Sequence, residues 1–162
     1  RPVVQPARQA ADDARQRGHG HDGMFCGAAI ELQDGRVVTG KNSILLHAAS
    51  ACVLNAIKTL AGIPDSIHLL SALVLQSVGA MKTDILSGGQ VSLNLDETLI
   101  ALSVSAAANP MAQAALQYLK ELHGCEMHLT HMPTPGDESG LRRLGVNLTC
   151  DPHFSGKFLH AV

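Results

Sequence analysis

A glycine-rich segment that ends in lysine is the part of the sequence closest to a phosphate-binding loop. Four residues separate Gly35 from Gly40, and Lys41, Asn42 and Ser43 follow. A P-loop needs serine or threonine directly after its lysine to reach magnesium, and here asparagine intervenes. The residues between the glycines are Arg-Val-Val-Thr, which favour an extended strand. We therefore expect a strand, and keep Lys41, Asn42 and Ser43 as a weak anion site because they precede a predicted helix N-terminus.

Nine histidines and four cysteines raise the question of a metal site. A hairpin followed by a helix that carries Cys52 resembles the start of zinc-dependent nucleoside deaminases, which need a glutamate beside the first ligand and a later C-x-x-C pair. Two alanines follow His47, and no C-x-x-C occurs. His128 and His131 lie three apart on a predicted strand and so face opposite sides. We expect no metal and no cofactor.

Acidic pairs and a cysteine–histidine cluster are the candidates for acid–base or nucleophilic chemistry. Asp96 and Asp137 are each followed by glutamate and each begin a predicted helix, so we interpret them as N-caps with first-turn acids. Cys150, Asp151 and His153 follow a predicted strand, where sites in α/β folds tend to collect. Because neighbours in sequence rarely assemble a working dyad, we predict no catalytic residue.

Turn signals and hydrophobic periodicity indicate the elements that must position these residues. An Asp-Gly pair at 34–35 between two apolar runs predicts a β-hairpin. Helices are expected at 1–17, 44–61 (with Ser43 as its N-cap), 72–83, 97–108, 110–123 and 138–144. Strands are expected at 24–32, 36–39, 67–70, 91–95, 125–131 and 146–150. The predicted fold class is α/β (α+β): a mixed sheet of about five strands, opening with a β-hairpin, with four to five packed helices.

The domain organisation follows from length and from one glycine-rich segment. The 162 residues suffice for one domain with its own core. The sequence GHGHDG at 18–23 indicates a linker, so we expect residues 1–23 to be a helix and linker from a preceding region and residues 24–162 to be a single α/β domain. The first residue is Arg1 rather than methionine, which we interpret as a sign of a processed or excised chain.

Composition argues against several classes of partner. Aromatic residues make up only 2% of the chain, whereas proteins that bind single-stranded nucleic acid stack bases on aromatic rings. The net charge of −2 provides no basic surface for a phosphate backbone. No apolar run reaches the roughly 18 residues of a membrane span. The cysteine spacing favours reduced thiols. We expect no nucleic-acid or membrane partner and a cytoplasmic location.

Four ordered stretches, together with the opening R-P-V-V, resemble a bacterial protein family. They are T-G-K-x-S at 39–43, L-N-A to L-A-G-I at 54–63, L-I-A-L-S to N-P at 99–110, and L-G-V-N-L-T-C at 144–150. The set resembles the C-terminal region of uncharacterised protein family 0371, also called domain of unknown function 1846. The resemblance implies a much larger intact protein with most of its length before Arg1. It implies no activity.

Two functional hypotheses remain. In the first, this is a non-catalytic domain that packs against its missing N-terminal region or forms a homo-oligomer. The absent motifs and the apolar helix at 97–108 favour it, and it predicts a large exposed apolar patch. In the second, the domain contributes part of a small-anion or nucleotide site, with Lys41, Asn42 and Ser43 in its wall, joined by Asn109 and Asn147.

Overall fold

A β-hairpin forms one side of a mixed sheet in the computed structural model, which describes residues 1–87 and 90–154. Strands β1 (Gly27–Glu31) and β2 (Val37–Lys41) pair antiparallel. They are joined by a turn in which Gly35 has a φ of 90°, a region that favours glycine. Strand β3 (Glu126–Leu129) is antiparallel to β1, and β4 (Asn147–Cys150) is parallel to β3. The sheet order is β2-β1-β3-β4.

Six helices surround this sheet in the described ranges. They are α1 (Val4–Gln16), α2 (Ala48–Ala61), α3 (Ala72–Asp84), α4 (Leu95–Ala106), α5 (Pro110–Leu116) and α6 (Pro135–Leu144). A 3-10 helix at Gln117–Leu122 continues α5. Helices and a mixed sheet confirm the predicted α/β class.

The described residues contain four strands, one fewer than the approximate number predicted. The apolar run at 67–70 forms bends and does not join the sheet. Its side chains Leu69 and Leu70 are nevertheless buried. The alternating run at 91–95 makes one isolated bridge, between Leu93 and Leu46. It stops there because Asn94 begins a helix. Short apolar runs do not distinguish strands from other buried segments.

Three helix starts differ from the prediction, two of them because a different side chain reaches the free N–H groups. Asn94, not Asp96, caps α4, in a reciprocal capping box with Glu97. Thr134, not Asp137, caps α6. Helix α2 begins after His47 rather than after Ser43.

Strand β1 is buried on both faces, with a helix against each. Ala29 lies in a small apolar cluster with Val3 and Ala7 of α1. Ala28 and Ile30, its neighbours on the opposite face, belong to the main aliphatic core that α2 and α4 help to fill. Successive side chains of a strand point to opposite faces. The sheet therefore separates α1 from the rest of the helices.

Candidate functional site

A cavity of about 470 Å³ opens where β3 ends and where α2, α4 and α6 begin. Its wall is assembled from four segments of the chain, together with Lys82 of α3. The first follows α1, the second runs from the end of β2 into α2, the third leads into α4, and the fourth connects β3 to α6. Lining residues that bear on the chemistry are Cys26, Asn42, Ser43, His47, Lys82, Glu97, His131 and Asp137.

A histidine–aspartate pair forms the most chemically distinctive part of this wall. His47 Nδ1 lies 2.8 Å from Asp137 Oδ2. The two side chains are largely buried, with exposed fractions of 17% for His47 and 7% for Asp137. The other carboxylate oxygen of Asp137 accepts a hydrogen bond of 2.9 Å from the backbone N–H of Leu95. Both oxygens of this carboxylate are therefore engaged.

Backbone contacts hold the two partners in place. His47 is the N-cap residue of α2, and its N–H donates to the carbonyl oxygen of Leu93 over 3.0 Å. Asp137 lies in the first turn of α6, where Thr134 accepts from its N–H. A carboxylate at this position is favoured by the positive end of the helix dipole. Two helix starts therefore bring these residues together across 90 positions of sequence.

The Cys26 thiol in the same wall remains neutral. Burial raises its pKa to about 12, and the negative charge of Asp137 adds to the effect. The imidazole of His131 is also perturbed, since burial and then His153 lower its pKa. The cavity therefore presents a protonated thiol at neutral pH, and not a thiolate nucleophile.

Lys82 is the lysine in the cavity wall, and its charge is already matched. Its ammonium donates to Glu97 and to the carbonyl oxygen of Ser92, each over 2.8 Å. Glu97 also accepts from the N–H of Asn94 in the capping box of α4. The lysine thus joins α3 to the start of α4.

The five residues predicted for an anion site are spread over the domain. Asn42 and Ser43 line the cavity, whereas Lys41 belongs to β2. Asn109 caps α5 and donates to the carbonyl oxygen of Leu69. Asn147 pairs with Glu126, at the end of β3 opposite the cavity. These five residues therefore do not form one site.

The two that reach the cavity also have local structural roles. Asn42 accepts from the N–H of Cys26 and donates to the carbonyl oxygen of Met24, so both the oxygen and the nitrogen of its amide are engaged. Ser43 Oγ accepts from the N–H groups of Leu45 and Leu46, which leaves its hydroxyl proton for a ligand.

Sequence reasoning missed the partnership of His47 with Asp137. Each residue had a satisfactory local explanation, one as a position within a helix and the other as a cap. The available signal was a histidine directly before one helix and an aspartate in the first turn of another. Only the fold shows that these two residues are in contact. Within residues 1–87 and 90–154 no three histidine, cysteine or acidic side chains are grouped as metal ligands.

A second buried histidine–aspartate pair lies at the end of β3. His128 Nε2 contacts Asp151 at 3.1 Å, and its Nδ1 contacts the Thr149 hydroxyl at 2.8 Å. Arg8 of α1 makes two hydrogen bonds to the same carboxylate. The Arg8 guanidinium, followed by His128, holds the pKa of Asp151 down at about 2. The acidic member of the predicted Cys150–His153 cluster therefore links α1 to the sheet.

None of the helices in the described ranges has the length and apolar character required to cross a membrane.

Comparisons with known proteins place these features in a family. The family model described as "Domain of unknown function DUF1846, C-terminal" matches residues 1–160. A UPF0371 protein of Corynebacterium aurimucosum is 45% identical over 157 residues, which is 97% of this chain and 30% of the relative. UPF0371 proteins of Clostridioides difficile and Clostridium tetani are 41% and 38% identical, each over 99% of this chain and 32% of the relative. The chain spans about a third of the length of these curated relatives and corresponds to their C-terminal part. The chain belongs to the DUF1846 C-terminal domain family, whose function is unknown.

Proposed function

We propose that this domain binds a small anion or nucleotide in the cavity between the starts of α2, α4 and α6. The observation that carries the proposal is the cavity itself, which encloses about 470 Å³ beside the His47–Asp137 pair. Small-molecule sites commonly fall between about 300 and 1,000 Å³ and combine apolar walls with a few convergent polar groups. The proposed ligand therefore contacts the cavity wall, to which only Asn42 and Ser43 of the five predicted residues belong.

The start of α2 supports an anionic group on the ligand. The first N–H groups of a helix have no partner within the helix. The His47 side chain does not cap them, and Ala48 and Ala49 both line the cavity. These N–H groups can donate to phosphate or carboxylate oxygens. The Ser43 hydroxyl supplies a further donor at the same wall.

Asp137 restricts where that anionic group can lie. Its carboxylate is engaged by His47, the N-cap residue of α2, and by Leu95, which places negative charge beside the His47 ring. An anionic group is therefore expected near Ser43 and the N–H groups of Ala48 and Ala49, away from this carboxylate. A ligand that combines a phosphate with uncharged hydroxyls or a base fits this separation.

A thermal-shift screen tests the proposal. The full chain is heated with inorganic phosphate, ribose 5-phosphate and AMP, and with sodium chloride at matched ionic strength as control. A ligand at 100 times its Kd stabilises the folded state by about 2.7 kcal/mol. A rise in melting temperature with a phosphate compound beyond the salt control supports the site. No rise with any of the three compounds contradicts it.

A second candidate function is packing against another polypeptide. Ile100 and Val104 lie one turn apart on α4 and are 67% and 70% exposed. Leu73 and Ile85, at the two ends of α3, are 76% and 75% exposed. Large apolar side chains on a surface often mark an interface. We propose that they contact either the preceding region of the longer relatives or a second copy.

We further propose a cytoplasmic location. All four cysteines are free, and Cys26, Cys52 and Cys125 are buried. Persistent disulfides are typical of oxidising compartments, whereas reduced, buried cysteines are typical of the cytosol. Cell fractionation with an antibody to the intact protein tests this location, and recovery in an extracellular fraction would contradict it.

A further inference from the structure

The His47 ring has one engaged nitrogen and one open nitrogen. Nδ1 lies against Asp137, which as a carboxylate can only accept a hydrogen bond. In the neutral ring the proton is therefore on Nδ1. Within the part of the chain that the structure describes, Nε2 has no hydrogen-bond partner, and the residue lines the cavity. Nε2 thus offers a lone pair to whatever occupies the cavity.

We propose that His47 is a general base that removes a proton from a hydroxyl group in the cavity, either a ligand hydroxyl or a bound water, with Asp137 as its positioning residue. The inference rests on the proposed function, because it assigns chemistry to the same cavity. The substrate class is a small phosphorylated or otherwise anionic molecule whose reacting group is a hydroxyl or is attacked by water.

The proton transfer balances within the pair. The hydroxyl O–H bond breaks, its electron pair stays on oxygen, and the proton forms a new N–H bond at Nε2. The imidazolium that results carries positive charge directly against Asp137, which stabilises it. The proton can then leave Nε2 for solvent, which restores the base. No metal, oxidant or further reactant is needed.

The chain contains a matched control in its other buried histidine–aspartate pair. His128 also lies against an aspartate and is more buried than His47, with exposed fractions of 6% and 17%, and both of its ring nitrogens are bonded, one to Asp151 and one to Thr149. It lies outside the cavity wall. An aspartate partner is thus common to both histidines, while a ring nitrogen without a hydrogen bond in the described residues, on a residue of the cavity wall, belongs to His47.

Diethyl pyrocarbonate acylation, read by mass spectrometry, tests the inference on the full chain. An unprotonated imidazole nitrogen attacks the reagent's carbonyl carbon, an N–C bond forms, and ethyl carbonate leaves as carbon dioxide and ethanol. We expect His47 to be labelled several-fold faster than His128, with exposed His19 as the positive control for reagent. Labelling of His47 no faster than that of His128 would overturn the inference.

The Asp137→Asn variant tests the positioning role. Its amide oxygen can still accept from Leu95, so the fold is expected to persist, and circular dichroism checks this. Its amide NH2 donates to Nδ1, which moves the ring proton to Nε2. We expect the ¹⁵N shifts of His47 to report this exchange of tautomers and acylation of His47 to fall several-fold. An unchanged tautomer and rate would overturn the role of Asp137, and Asp151→Asn should leave both unchanged.

The two proposals fail in different ways. Labelling of His47 without binding of phosphate, ribose 5-phosphate or AMP supports the base and contradicts the proposed ligand class. Binding of one of these compounds with an unlabelled, Nε2-protonated His47 supports the site and overturns the base.

Discussion

A Cβ atom added to Gly27 of β1 would stand 2.0 Å from the carbonyl oxygen of Ala7 in α1. No side chain fits at that distance. Helix α1 can approach the sheet this closely because residue 27 is glycine. The same helix is held at its outer side by Arg8, which bonds to Asp151 beyond β4.

Replacing Gly27 by alanine should therefore displace α1. We expect Gly27→Ala to lower the free energy of unfolding by about 1–3 kcal/mol or more, the usual cost of overpacking, because the added methyl group meets backbone atoms. Urea denaturation measures the loss. Gly18→Ala is the control, since Gly18 has a positive φ of 69° but open space around it, and it should cost only about 1 kcal/mol. Equal stability of the two variants would contradict the account of α1.

Acid should weaken the Arg8–Asp151 contact. The Arg8 hydrogen bonds, followed by those of His128, lower the pKa of Asp151 to about 2, against about 3.9 in an unfolded chain. A carboxyl group whose pKa is lower in the folded protein stabilises the fold at pH values above its pKa in the unfolded chain. This stabilisation is lost as the pH falls toward the pKa in the folded protein. We expect the stability difference between wild type and Arg8→Gln to be full near neutral pH and to shrink between about pH 4 and pH 2.

Denaturation midpoints of both proteins across this pH range measure the difference. Arg17→Gln, a change at an exposed arginine just beyond the same helix, provides the control. A stability difference that stays constant down to the acid limit would show that Asp151 does not carry this effect.

The cysteines should differ in reactivity. Cys26 lines the cavity but its pKa is raised to about 12, chiefly by burial. Cys150 is exposed, although burial of part of its thiol and Asp151 also raise its pKa. We expect iodoacetamide at mildly alkaline pH to label Cys150 well before Cys26. Peptide mass spectrometry measures the order, and faster labelling of Cys26 would contradict the neutral thiol assigned to the cavity.

The exposed side of α4 should govern association if the packing function is correct. Ile100→Glu combined with Val104→Glu should reduce self-association of the full chain, measured by sedimentation velocity, with little change in stability because both side chains are exposed. Arg143→Glu on the exposed side of α6 controls for added negative charge. If wild type is monomeric, the partner is not a second copy, and the preceding region of the longer relatives remains the proposed partner.

Features that depend on a few neighbouring residues, such as turns and helix ends, were predictable from the sequence. The Asp34-Gly35 turn specified the hairpin, and the predicted end of the second helix at residue 61 is confirmed, because Gly62 takes a left-handed φ of 71°. Helix starts were less predictable, since several polar residues near each start could act as caps. Asn94 and Thr134 prevailed because their side chains reach the free N–H groups.

The candidate site could not be predicted in the same way. Its central contact joins His47 to Asp137 across 90 residues, and neither residue type is unusual at a helix start. Asn42 was predicted to lie just before a helix, but α2 begins only at Ala48, and the Asn42 amide is engaged by Met24 and Cys26. Spacing along the sequence does not reveal which distant residues meet in the fold. It also does not reveal which neighbours compete for a side chain's hydrogen bonds.

The most direct test of ligand binding in the cavity compares two equivalent substitutions. Met132 lines the cavity, whereas Met111 lies on α5 and is 44% exposed. Met132→Trp should fill part of the cavity, and Met111→Trp adds the same bulk elsewhere. Calorimetric titration with AMP and with inorganic phosphate is predicted to give binding to wild type and to Met111→Trp, and weakened binding to a folded Met132→Trp. Equal binding by all three proteins, or no binding by wild type, would contradict the proposed site.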